Sequence, residues 1–253
     1  MVSPQSVISQ FVISVALRRD KVASFDQYPF CLPAVKMLQR IDLHPKVTFF
    51  VGENGSGKST LLEAIAVSLG FNAEGGSKNF RFDTRRSHSV LNEYLRIAKG
   101  VKRPRDGFFL RAESFFNVAT EIERLDEGPG GPPLINTYGG RSLHEQSHGE
   151  SFLALMLDRF GGQGIYILDE PEAALSPQRQ LAVLSRMHDL VVDNSQFVIA
   201  THSPILMAYP DACIYRCDKD GLTPIAYQDT DHFKVTRDFL ANPGRMLRLL
   251  MER

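Results

Sequence analysis

Gly52-Glu53-Asn54-Gly55-Ser56-Gly57-Lys58-Ser59 fits G-x-x-x-x-G-K-[ST], a spacing that can cradle the phosphates of a nucleotide. Glycines let the backbone curl until successive N–H groups point inward at an anion. Lys58 adds a point charge for the β- and γ-phosphates, and the Ser59 hydroxyl is a Mg²⁺ ligand. Thr60 closes the motif. A second chemical stretch is Asp169-Glu170, at the end of the apolar run Ile165–Leu168. An acid at the C-terminal end of a strand beside a phosphate loop can hold Mg²⁺, and the acid after it can act as general base on the attacking water. Two adjacent carboxylates are costly without a nearby cation. The third stretch is QFVIATHSPI, Gln196–Ile205, another apolar run ending in polar residues. His202 at its end could donate to a γ-phosphate oxygen.

These residues need elements that bring them together. Val47–Val51 is β-branched and aromatic, so it reads as a buried strand entering the loop. LLEAIAVSL after the loop reads as a helix stopped by Gly70. Strand, loop and helix together give the glycine motif its phosphate-binding context, and the helix N-terminus adds its dipole to the anion site. Phe11–Leu17 reads as a first strand, Ala34–Ile41 as a short helix leading toward the loop strand, and Gly107–Phe116 as a strand running into a helix. Asn72–Asn79 and Glu127–Pro133 have loop composition, and residues 1–6 read as a tail. Ala212–Tyr215 reads as a further strand. Lys234–Ala241 and Arg245–Met251 read as short amphipathic helices whose Leu and Met stripes pack in the core or at a dimer contact. Phe25, Tyr28 and Phe30, upstream of the loop, are candidates to stack on adenine; core packing is the alternative for each.

At 253 residues the chain allows one large domain or two small ones, and its 43% apolar content suffices for a core. Formal net charge is zero, so no global bias toward nucleic acid or membrane exists. Charge is uneven locally: from Lys78 to Arg111 ten Lys and Arg face three acids. That excess suits a nucleic acid or another polyanion, or a solvated helical face. Cys31, Cys213 and Cys217 make neither an even disulfide set nor a metal quartet, which implies reduced thiols and a cytoplasmic protein. No apolar run reaches transmembrane length, and Phe11–Leu17 has its basic residues after it, unlike a signal peptide.

GENGSGKST, ILDEPEAALS and ATHSP, in this order, resemble the nucleotide-binding domain of ABC-type ATPases. Ser147-His148-Gly149-Glu150-Ser151 looks like a variant of that family's LSGGQ signature, in a form closer to SMC-like, RecF-like and stand-alone overcoming-lysogenization-defect-type ATPases than to transporters. The resemblance covers roughly residues 8–250 and implies a single α/β P-loop domain, 1–253. A mostly parallel central sheet would carry helices on both faces, with a small helical signature lobe inserted at about 80–160. It implies ATP and Mg²⁺ as cofactors, with Gly52 to Thr60 on the phosphates, Ser59 and Asp169 on Mg²⁺, Glu170 as base and His202 as switch histidine. Ala173–Ser176 would be the D-loop. Ser147, Gly149 and Glu150 would act on ATP held by the opposite protomer of a homodimer, although Ser147 also suits a simple helix N-cap.

Two departures from the family matter. No glutamine occurs from Leu61 to Glu145, so the transporter-type glutamine loop is absent, with Glu113 in the Arg111–Ser114 segment the candidate substitute. Only 89 positions separate Lys58 from Ser147, too few for a coiled-coil arm. The first weakens a transporter assignment and the second an SMC assignment; the basic segment from Lys78 to Arg111 favours a soluble ATPase switch in a nucleic-acid, repair or defence setting, with a subunit energising a membrane permease as the alternative. An ATP-gated dimerisation module is a third option.

Overall fold

The computed structural model describes residues 10–78, 89–113, 115–126 and 133–252. The expected tail at 1–6, the basic residues Arg81, Arg85 and Arg86, Ser114 and nearly all of the 127–133 loop lie outside the described residues.

Nine strands among the described residues form two sheets. β1 is Val12–Leu17, β2 Arg40–Asp42, β3 Val47–Val51, β4 Leu95–Lys99, β5 Asp106–Arg111, β6 Gly164–Asp169, β7 Gln196–Ala200, β8 Cys213–Asp218 and β9 Gly221–Pro224. The main sheet runs β5-β6-β7-β3-β8-β9, parallel except for the β8–β9 hairpin at one edge. Its central strands β3, β6 and β7 are buried along their whole length, which is why they read as unbroken apolar runs. The second sheet, β2-β1-β4, is antiparallel.

The helices that position the site are α1, Lys58–Ser68, after the phosphate loop; α2, Phe115–Asp126; α3, His148–Ala154; α4, Pro177–Val192; and α5, Asp231–Ala241. Side chains alternate across a strand, so each strand serves two cores. Phe49, Leu110, Leu168 and Ile199 face one core with Phe152 of α3 and Val183 of α4. Phe50, Phe109, Ile167 and Val198 face the other, with Leu61 and Ile65 of α1 and Val15 of β1. Helices therefore cover both faces, and the antiparallel sheet shares the second face with α1.

Three expectations are corrected. Ala34–Ile41 is not one helix: a single turn, Pro33–Lys36, is followed by Arg40–Asp42 as strand β2. Its one-turn apolar pattern is too short to distinguish helix from strand, and pairing with β1 decides. The 80–160 region holds β4 and β5, members of the two sheets, and its longer helices begin only at Phe115. The C-terminal helices, Asp231–Ala241 and Pro243–Met251, bury no residue against the described part of the chain, so their apolar stripes are not core.

Candidate functional site

The phosphate loop lies at the C-terminal edge of the parallel sheet, where β3 ends. Gly52 is required there by contact: a Cβ would stand 2.3 Å from the carbonyl oxygen of Cys217 on the neighbouring β8. Gly55 and Gly57 have φ of 79° and 96°, a conformation costly for other residues. Gly57 is the N-cap of α1, with no side-chain cap on the helix's first N–H groups. Those donors, and the buried Ser56 hydroxyl that has no hydrogen-bond partner among the described residues, are what an anion needs.

Lys58 turns its ammonium back onto the loop, donating to the carbonyls of Gly52 at 2.7 Å and Glu53 at 2.9 Å. Burial lowers its pKa, opposed by Cys217, Glu170, Asp169 and Glu53. The Cys217 thiol beside it is pushed up to about 12 by burial and stays protonated.

Strand parity brings Asp169 to Ser59. Asp169 follows Ile165 and Ile167 on the α1 side of β6, so its carboxylate meets the first turn of α1. The Ser59 hydroxyl donates to Asp169 Oδ1 at 3.0 Å. Burial pushes the Asp169 carboxyl up to about 6, against the pull of Arg111 and the Ser59 hydrogen bond. Arg111, at the end of β5 and on the same face, pairs with Glu63 of α1 at 2.7 Å and lies 3.9 Å from Asp169. Its Nε is buried and has no hydrogen-bond partner among the described residues. Glu113 is 87% exposed and reaches Arg111 at 3.4 Å; the buried group beside Asp169 is therefore arginine, not the glutamate suggested as a glutamine substitute.

Glu170 sits just past the strand in a left-handed conformation, φ 52° and ψ 52°, with its N–H donated to Ala200 of β7 at 2.9 Å. That backbone turn carries its carboxylate to His202, 3.6 Å away from Oε1 to Nε2. Strain of about 1 kcal/mol for a non-glycine residue in this region is typical of positions held for function. Glu172, which the sequence did not single out, ties the two strand ends together: it accepts from the Thr201 hydroxyl at 2.7 Å and from the His202 N–H at 2.5 Å. Burial raises its pKa, opposed by those two donors.

The residues compared above with the signature gather at the start of α3. Glu150 accepts from the Ser147 N–H at 3.1 Å and its hydroxyl at 2.7 Å, and Arg179 of α4 reaches Glu150 at 3.2 Å. Gly149 allows close approach of the segment after Glu170: a Cβ would lie 2.5 Å from the Ala174 carbonyl oxygen. Ser176 caps α4, accepting from the Arg179 N–H at 3.4 Å. Of the three candidate rings, Phe30 is core and edge-on to Tyr94, Phe25 lies under the Arg19 guanidinium at 4.2 Å, and Tyr28 is 64% exposed.

A family model described as "AAA domain" matches residues 30–128, less than half of the chain. ABC transporter G family member STR2 from Medicago truncatula is 27% identical over 172 residues, 62% of this chain and 24% of that protein. DNA replication and repair protein RecF from Colwellia psychrerythraea is 76% identical over 25 residues, 10% of this chain and 7% of that protein. The chain thus spans a quarter or less of these curated relatives. Among solved structures, cbiO1 from Clostridium perfringens, part of the ABC transporter complex cbiONQ, superposes with a TM-score of 0.50 at 16% identity. That match covers 96% of this chain and all of cbiO1. The phosphate loop and the superposition agree on the fold: the chain has the P-loop fold seen in ABC-type ATP-binding proteins.

Proposed function

We propose that the chain hydrolyses ATP with Mg²⁺ as an ATP-sandwiched homodimer and acts as a switch on nucleic acid. The observation that carries the catalytic part is the convergence of Lys58, Ser59, Asp169, Glu170 and His202 at one sheet edge, around donors that lack partners among the described residues. Gly52 to Thr60 hold the phosphates. Ser59 and Asp169 would hold Mg²⁺, which would supply charge neutralisation to the phosphates. Lys58 leaves its loop carbonyls for the phosphate oxygens. Glu170 takes the proton of the attacking water, and His202 donates to the γ-phosphate as its charge grows.

The homodimer reading rests on the two cores. Phe152 of α3 packs on one face of the main sheet and α1 on the other, so the helix that begins at Ser147 and the helix that the phosphate loop opens lie on opposite faces. A second copy would present Ser147 and Gly149 to the nucleotide.

Lys58→Ala should lose ATP affinity by about 100-fold or more, read by fluorescent-ATP titration at constant Mg²⁺. Parent-like affinity would remove Lys58 from the phosphate site.

For the partner, Lys78, Lys99, Lys102 and Arg103 border a cavity of about 610 Å³ that also touches Val12 and Ile165. Those two stand at the beginnings of β1 and β6, at the far end of the main sheet from Asp169. Burial and the neighbouring Lys99 both lower the Lys78 pKa, as expected where like charges await a polyanion. Single-stranded DNA should bind with a salt dependence that weakens when all four are changed to Gln. A loss of about three in the log–log slope is expected in anisotropy titrations, with ATP affinity retained. Absence of binding at low salt would reject the nucleic-acid partner. The transporter names of STR2 and cbiO1 favour the second reading, a subunit energising a membrane permease. The missing glutamine opposes it, and co-purification with membranes would support it.

A further inference from the structure

We propose that His232, at the start of α5, is a positioning residue for hydrolysis: its ring holds His202 in the tautomer that presents Nε2–H to the reaction. The proposal rests on the reading of His202 as γ-phosphate donor and adds the residue that makes such donation available.

His202 Nδ1 and His232 Nε2 are 3.0 Å apart, with ring centroids 5.2 Å apart and planes inclined by 57°. Burial lowers the pKa of both imidazoles; Lys58 depresses both further and His202 also depresses His232. Both are therefore neutral near pH 7, and one proton occupies their shared edge. If His202 supplied it, His202 Nε2 would be left as a bare lone pair. That nitrogen lies 3.6 Å from Glu170 Oε1, is buried and has no hydrogen-bond partner among the described residues. A lone pair held toward a carboxylate is repelled, whereas an N–H there is attracted. The arrangement compatible with Glu170 has His232 Nε2–H donating to His202 Nδ1. His202 then keeps its proton on Nε2, as a donor on the side where charge develops.

The frame around His232 is rigid and tied to the loop that carries His202. Thr230 is buried and caps α5, accepting from the Phe233 N–H at 3.3 Å and donating to the Tyr227 carbonyl at 2.8 Å. The Tyr227 hydroxyl donates to the Pro204 carbonyl at 2.9 Å, two residues after His202. The Tyr227 and Phe233 rings pack 4.7 Å apart. The imidazole is thus held by the same short segment whose histidine it orients, as second-layer partners orient ligating histidines elsewhere.

The test uses ring-nitrogen NMR of the full chain and steady-state ATPase kinetics. In the parent, His202 should show a protonated Nε2 and an unprotonated Nδ1. His232→Ala should mix the two tautomers and lower kcat by about 10–100-fold, with KM and the affinity for fluorescent ATP within about twofold. His232→Gln, whose amide N–H can replace the donor, should recover most of kcat, which a purely structural loss would not allow. A parent His202 protonated at Nδ1 overturns the proposal without any variant. Unchanged kcat in a folded His232→Ala protein overturns it as well. His202→Ala separates the two levels: if it hydrolyses ATP like the parent, the donor reading fails; if it loses turnover while His232→Ala does not, only the role of His232 fails.

Discussion

Glu170→Gln should bind Mg-ATP like the parent, lose turnover by about 10²–10⁴-fold and accumulate as a dimer. The change is nearly isosteric and leaves the backbone device intact: the left-handed turn at Glu170 and its N–H bond to Ala200 do not involve the carboxylate. The amide oxygen can still accept from His202, 3.6 Å away in the parent. What disappears is a base within reach of the attacking water. Without hydrolysis, ATP stays between the subunits, so light scattering with and without Mg-ATP reads both claims. A nucleotide-dependent doubling of mass supports the sandwich and the trans role of Ser147 and Gly149. A monomer under both conditions means that a second copy does not complete the site. Parent-like hydrolysis would show that another group is the base.

Asp169→Asn should abolish Mg²⁺-dependent turnover while raising the melting temperature of the nucleotide-free protein at neutral pH. The carboxyl is buried, and its pKa is raised to about 6 chiefly by that burial. A raised acid stabilises the fold while protonated, and that contribution is lost as pH rises through the folded-state value. At pH 7.5 the parent therefore carries a buried charge only partly offset by Arg111 and Ser59. Asparagine keeps an oxygen for the Ser59 hydroxyl and removes the charge. A shift from 3.8 to about 6 corresponds to up to about 3 kcal/mol, or several degrees in a domain of this size. The advantage should be absent near pH 4, appear between pH 4 and 6, and level off above. Differential scanning calorimetry in EDTA across that range checks it. With Mg-ATP present the order should invert, because only the parent gains from the bound ion. A variant no more stable than the parent at pH 7.5 would mean that Arg111 already compensates the charge.

The features legible in the amino-acid sequence are those encoded locally. A phosphate loop needs its glycines, lysine and serine within one strand–loop–helix unit, and Val47–Ser68 contains all of it. An acid pair after a buried strand, and a histidine after another, follow the same logic at Asp169-Glu170 and His202. Period-two alternation even implies that Asp169 shares a face with Ile165 and Ile167. It does not say what lies opposite.

What lies opposite is decided by long-range packing. Arg111 reaches Asp169 because β5 pairs with β6 in a register that sets the two side by side, and Glu63 holds it there from one face of α1. Glu172 looks like an ordinary loop acid until β6 and β7 bring Thr201 and the His202 backbone to it. Arg40–Asp42 becomes a strand because β1 offers it an edge. The apolar stripes of the last two helices stay outside both cores, neither helix burying a residue against the described chain. His232 carries no signal in its neighbourhood of the sequence; it meets His202 across 30 residues because Thr230 and Tyr227 fasten the helix start to the His202 loop. Which groups can do the chemistry is thus written in the chain itself, since their spacing is set within single elements. Which charges and tautomers those groups hold is a matter of the packed fold, because desolvation and hydrogen bonding come from residues distant in the chain.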